Sequence, residues 1–187
     1  MSGAPQHPTP VTIAQARQAP TKGGIPAVQG IYTWWAVGRD TLPEVPGPAN
    51  PADPSLRLLY VGVAPARVSS NANLRTRVLS QHAGGNLASS TFRFSLAALL
   101  WEEQHWQPLA GSGEKVVLSR EQNSELSRWQ EQHLRLSWVV LEKPWSREAQ
   151  MIGELEPPLN LAENTGHPNH RLLSAARERL RAAARPS

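Results

Sequence analysis

The chain has 187 residues, with 19 lysines and arginines against 15 aspartates and glutamates, a net charge of +4. That length supports one domain with a real core, and the modest positive charge permits a polyanionic partner without demanding one. Cysteine is absent, which excludes disulfides, thiolate metal sites and a thiol nucleophile and fits a reducing, cytoplasmic setting.

The opening MSGAPQHPTP has neither the basic nor the apolar region of a signal peptide. No apolar run approaches the roughly 20 residues that span a bilayer, so a soluble protein is expected. Residues 1–29, rich in Pro, Gly, Gln and Ala, read as a loose lead-in with at most a short helix around 11–18. The rest, 30–187, reads as a single domain. GIYTWWAV (30–37) is β-branched and aromatic and predicts a first strand. Five prolines in residues 41–55 exclude helix and strand there, and this loop is expected to run along the rim of the site. LRLLYVGV (56–63) predicts a second strand. Asn71 or Asn73 caps a helix over about 74–82, which Gly84 and Gly85 stop. FRFSLAALLW (92–101) is ambiguous in period and is read as helix. An amphipathic helix over about 119–133 leads into a third strand, LRLSWVVLE (134–142). A helix at 147–156 and a final one after Pro168 complete the chain. Three strands, the first two paired as a hairpin, predict an α/β (α+β) fold: a small three-stranded antiparallel sheet flanked by helices.

Within this frame Glu148 is out of place. On a helix, Met151, Ile152 and Leu155 fall three, four and seven residues after it, so the carboxylate lies on an apolar stripe. Such a group is costly unless a cation, a metal or hydrogen bonds meet it. Tyr32 and Tyr60, the two tyrosines of the chain, stand in the first and second strands. Arg77 borders the apolar face of the 74–82 helix, and His82 ends it. Taken singly, each has an ordinary reading: tyrosine packing, a solvated arginine, a histidine at a helix C-terminus, a glutamate paired with Arg147 or Lys143. Gly62 fits a place where backbone must approach another group closely. His167 and His170 stand three apart but have no third ligand at a recognisable spacing. The arginines of the last helix are spread around it and read as a solvated face.

Taken together, Gly30-Ile31-Tyr32, Tyr60-Val61-Gly62, the helix NLRTRVLSQH (73–82) and Glu148 followed by Pro157-Pro158-Leu159-Asn160 occur in order over about residues 30–160. This pattern resembles the GIY-YIG nuclease superfamily. The chain departs from it in the long 33–59 connection, in extra length between Tyr60 and Arg77, and in the spacing of His82, five residues after Arg77 where many relatives have four. The resemblance implies an endonuclease that hydrolyses DNA phosphodiesters, with catalytic Tyr32, Tyr60, Arg77, His82 and Glu148. Glu148 would hold Mg²⁺ (or Mn²⁺), a cation that takes only one or two protein carboxylates. Arg77 would stabilise charge on the phosphoryl oxygens, and a tyrosine would take the proton of the attacking water. Tyr32 is the favoured base and Tyr60 the positioning donor, with the reverse kept open. Gly62, Arg75 and Asn160 would act in positioning, Asn160 by orienting Glu148 or holding the following loop. The alternative is a DNA-binding module on the same fold that does not cleave.

Overall fold

A computed structural model describes residues 8–162 and 164–185. Its centre is the expected sheet: β1 (Gly30–Val37) lies between β2 (Leu56–Ala64) and β5 (Leu134–Val140), antiparallel to both. The predicted fold class, α/β with a three-stranded antiparallel sheet and flanking helices, is the observed one. A two-residue hairpin, β3 (Leu109–Ala110) with β4 (Val116–Val117), is added between helices.

The register contains one irregularity. Trp34 pairs with Tyr60 but Trp35 pairs with Leu58, so Leu59 is an extra residue in β2. Side chains alternate strictly along a regular strand, and one inserted residue reverses the phase. Leu56 and Leu58 accordingly join the core on one face of the sheet, with Ile31 and Trp35. Beyond the bulge, Tyr60 joins the opposite core with Tyr32 and Trp34, while Val61 and Val63 return to the first. Without the bulge, Tyr60 would point to the same side as Leu58.

The face bearing both tyrosines is covered by α1 (Ile13–Arg17), a π-helix (Thr76–Ala83), α2 (Thr91–Leu100), α3 (Arg120–His133) and α5 (His170–Ala183). α4 (Glu148–Leu155) covers the other, placing Ile152 against Val61 and Leu58. Its stripe is as read from sequence: Ile152 is buried, and Glu148, Met151 and Leu155 are half-buried.

Each edge strand of the sheet is partly covered by single bridges, which shorten the stretch of unpaired ladder groups. On β5, Val11 N–H and C=O both pair with Leu136, at 2.8 and 2.9 Å. On β2, Leu58 N–H donates to Pro48 C=O at 2.9 Å, and Leu159 N–H donates to the bulged Leu59 C=O at 2.9 Å.

Two expectations need correction. The lead-in over its described part, 8–29, is not loose. Thr12 and Gln15 form a reciprocal capping box on α1, and Ile13, Ala16 and Ile25 are fully buried in the main core. Arg75 ties this segment down by donating to the carbonyls of Arg17, Gln18 and Ile25 at 3.0, 3.2 and 3.0 Å. The proline loop 41–55 does not border the site; it folds back on β2 and sends Leu42 and Val45 into the core. Prolines forbid a ladder but not burial, and the two apolar side chains decide the path. Leu42→Ala should therefore lower the unfolding free energy by about 2–5 kcal/mol in urea titration, the usual cost of truncating a buried leucine. A change under about 0.5 kcal/mol, typical of a surface substitution, would mean that the loop is only a rim.

Candidate active site

The site is built on β1 and β2. Tyr32 faces Gly62 across the hairpin, and a Cβ on Gly62 would stand 2.3 Å from the Tyr32 hydroxyl oxygen. Glycine is required here so that the phenol can lie flat over the neighbouring strand. Gly30 is similarly constrained: a Cβ there would meet the Val139 carbonyl oxygen at 2.2 Å. The Tyr32 and Tyr60 rings stack with centroids 6.4 Å apart. Tyr32 is 1% exposed and Tyr60 8%.

His82 closes this pair from the π-helix. Its Nε2 is 2.7 Å from the Tyr32 hydroxyl and its Nδ1 is 2.6 Å from Ser90 Oγ, with the ring fully buried. The wide helix resolves the five-residue spacing. In an α-helix, residue i+5 is turned about 140° from i. Hydrogen bonding from i to i+5 brings the two back to one side, and such turns are frequent at functional sites. Arg77 and His82 thus meet the same tyrosines. The Arg77 side chain lies beside the Tyr32 phenol and also bonds to Gln81 and, at 3.4 Å, to the Ser89 carbonyl.

The electrostatics keep all three rings neutral in the free protein. Burial pushes the Tyr32 phenol well above its usual pKa, aided by Tyr60 and Glu148 and opposed by the Arg77 charge and hydrogen bond. Burial also raises Tyr60, opposed by a hydrogen bond from Thr91 and by the charges of Arg77 and Arg177. His82 is held well below the usual histidine range by burial, then by Arg77 and Arg93. Arg93 is itself fully buried between α2 and α3. It donates to the His82 and Ala83 carbonyls at 3.4 and 3.0 Å and to the Asn123 carbonyl at 3.0 Å, and burial lowers its pKa to about 10.

Glu148 comes from the far side of the sheet edge. A cavity of about 260 Å³ brings it together with Tyr60, Thr91, Asn160 and Arg177, and Ile152 forms its apolar wall. Glu148 and Arg77 both act on both tyrosines through their charges, and Glu148 and Tyr60 line one cavity. Tyr60 lines the cavity, whereas Tyr32 stands behind it. Asn160 clamps the strand: its Oδ1 accepts from Val61 N–H at 3.0 Å and its Nδ2 donates to Val61 C=O at 2.8 Å. Arg75, expected to act in positioning, has its guanidinium on the N-terminal carbonyls described above. His167 Nδ1 accepts from Asn169 N–H at 3.0 Å in the turn before α5. Among the described residues no three His, Cys, Asp or Glu side chains gather as a metal site. A lone carboxylate on an open cavity is compatible with Mg²⁺, which keeps most of its waters. The reading from sequence missed Arg177. Its signal was only its place on the inner side of α5, in register with the buried Leu173, Ala176 and Leu180.

No curated protein and no solved structure gives a significant match to the chain. The family model described as the GIY-YIG catalytic domain matches residues 30–183, which takes in every strand of the main sheet, the π-helix, Glu148 and all of α5. The chain belongs to the GIY-YIG superfamily, whose catalytic domain is a DNA-cleaving nuclease fold.

Proposed function

We propose that the protein is an endonuclease that hydrolyses phosphodiester bonds in DNA with Mg²⁺ or Mn²⁺ held at Glu148. The observation that carries this reading is the shared cavity. A carboxylate, a tyrosine at the wall and an arginine fork converge there, with Arg77 in electrostatic reach of the same tyrosine. Bound at Glu148, the ion would supply Lewis-acid stabilisation to the scissile phosphate and its leaving oxygen.

The protein's own groups divide the remaining work. Arg77 offers a planar set of N–H donors to the phosphoryl oxygens, where negative charge builds in the transition state. To reach the phosphate it must exchange its Gln81 contact for the substrate, a swap of one neutral acceptor for a charged one. Tyr60 takes the proton of the attacking water. Of the two tyrosines it is the one that lines the cavity, and a general base must come within hydrogen-bond reach of its proton. Tyr32, expected to be the favoured base, has its hydroxyl against His82 and Gly62. It serves as a strut that fixes Tyr60 and Arg77. His82 holds the Tyr32 hydroxyl and stays neutral, so it adds no charge to compete with Arg77.

Two outcomes follow. Glu148→Gln should fold and bind duplex DNA in EDTA, yet lose plasmid nicking in Mg²⁺ or Mn²⁺ by about two orders of magnitude or more, the scale of losing one preorganised electrostatic contact. A folded Glu148→Gln protein that nicks at the wild-type rate ends the catalytic claim. DNA binding without nicking by the wild type favours the non-cleaving module.

The tyrosines should separate as well. A phenol with a raised pKa is mostly protonated near neutrality, so the wild-type rate should climb with pH as the phenolate fraction grows. Tyr60→Phe should lower the rate and flatten that climb with little loss of stability. Tyr32→Phe should keep the climb and cost about 1–3 kcal/mol in denaturant melts, because it strands a buried histidine nitrogen. The opposite assignment of the pH profile would make Tyr32 the base.

A further inference from the structure

We propose that Arg177 is a substrate residue: it binds a phosphate of the DNA strand that lies across Tyr60 and Glu148. The proposal rests on the nuclease reading of the cavity and adds a contact from the C-terminal helix.

Arg177 differs from the other arginines of α5. Arg179 pairs with Glu102 at 3.4 Å on exposed surface, and the half-buried Arg181, which shares the Phe94 ring at 5.0 Å, pairs with Glu178. Arg177 is half-buried and lines the cavity beside Tyr60, Thr91 and Glu148. It is also held in place. Nη2 donates to the Thr91 carbonyl at 3.0 Å and to Ser95 Oγ at 2.6 Å, both on α2. The Phe94 ring lies under the guanidinium, 5.4 Å from its centre. These contacts, with neutral oxygens and a π-face, hold the guanidinium against α2. Among the described residues the Arg177 Nε is enclosed with no hydrogen-bond partner.

The charge survives this confinement. Burial, then Arg181, lowers the Arg177 pKa to about 10, which leaves it cationic at neutral pH. With both Nη2 hydrogens on α2 and Nε enclosed, the guanidinium would meet a phosphate oxygen through Nη1, and because it is already held it loses little freedom on binding. Placed beside a metal-binding carboxylate, it would receive a phosphodiester oxygen with its orientation already set. A lysine would supply charge without the fork.

The test uses the full chain. In a Glu148→Gln background and EDTA, affinity for a fluorescent DNA duplex is measured from low to physiological salt, with Arg177 intact, as Met, and as Lys. Methionine keeps a stem over Phe94. The Arg177→Met change should weaken binding about tenfold at low salt, the scale of one charge-assisted hydrogen bond. It should also reduce the slope of log affinity against log salt by about 0.9, one released counterion. Arg177→Lys should restore the slope but not the affinity. Arg179→Met, on the exposed side, should leave both unchanged. In the cleavage-competent chain, Arg177→Lys should raise KM more than it lowers kcat.

An unchanged salt slope in Arg177→Met overturns the proposal, whether or not the melting temperature falls, because packing alone does not move counterion release. If the Met variant fails to fold, the Lys variant decides: wild-type affinity and KM overturn the proposal. Should the wild type bind DNA in EDTA yet never nick it, the nuclease reading fails while the slope still judges Arg177. A wild type that binds no DNA overturns both.

Discussion

The bulge at Leu59 is the constraint on which the site depends, because a strand presents alternate residues to opposite faces and Tyr32 and Tyr60 must share one. Tyr60 reaches that face only because one extra residue reverses the phase of β2 just before it. A bulge leaves backbone groups unmatched in the ladder, and the chain meets them from two directions. Leu159 donates to the Leu59 carbonyl, and the Asn160 amide grips both backbone groups of Val61, the residue after Tyr60. The Pro-Pro-Leu-Asn segment is thereby explained in physical terms. Its prolines end α4 and its last two residues seal the irregular edge, so α4 is anchored where Glu148 comes beside Tyr60.

A second irregularity, the π-helix, acts on the other side of the tyrosines. Widening the turn puts Arg77 and His82 on one side despite their five-residue separation. It also leaves the helix end with carbonyls to satisfy. Arg93 and Gln130 do this by donating to the His82 carbonyl at 3.4 and 3.1 Å. A buried arginine is an expensive way to close a helix, but its charge has an effect that a neutral donor would lack. Together with Arg77 it disfavours a proton on His82. The ring therefore remains a neutral hydrogen-bonding link between Tyr32 and Ser90, and among the described residues the cationic groups that act on the tyrosines are Arg77 and Arg177.

What could be read from the sequence follows the reach of each signal. The three strands, the helices at 74–82, 92–101 and 119–133 and the apolar stripe of α4 rest on periodicity and caps a few residues apart, and they appear in place. Tyr32, Tyr60, Arg77 and Glu148 stood out through ordered motifs, and they converge. The bulge was not visible because Leu58 and Leu59 are both apolar and both buried, so no break in pattern marks the extra residue. The packing of Ile13, Ala16 and Ile25 was hidden by the prolines and glycines around them. Arg75 and Arg177 show the same limit for charge: composition cannot tell a solvated arginine from one held by backbone carbonyls. Arg177 shares a face with Ala176 and Leu180, and only the neighbouring α2 reveals what that face meets.

The balance of charge in the cavity clarifies why a single carboxylate is consistent with nuclease chemistry. Tyr60 has its ionised form opposed by burial and by Glu148, and favoured by Arg77, Arg177 and the Thr91 hydrogen bond. An anion at Glu148 that stayed uncompensated would therefore work against the base beside it. A cation held by Glu148 would oppose that effect, so the ion proposed to hold the phosphate would also make the Tyr60 phenol more acidic. A second carboxylate would hold the ion more tightly but would restore the penalty on Tyr60. With Arg177 on the cavity wall and Arg77 in electrostatic reach of Tyr60, a phosphodiester bound as proposed would meet both charges. In the proposed mechanism, substrate and base would be stabilised by the same positive charges, which would link binding to activation without any movement of the sheet.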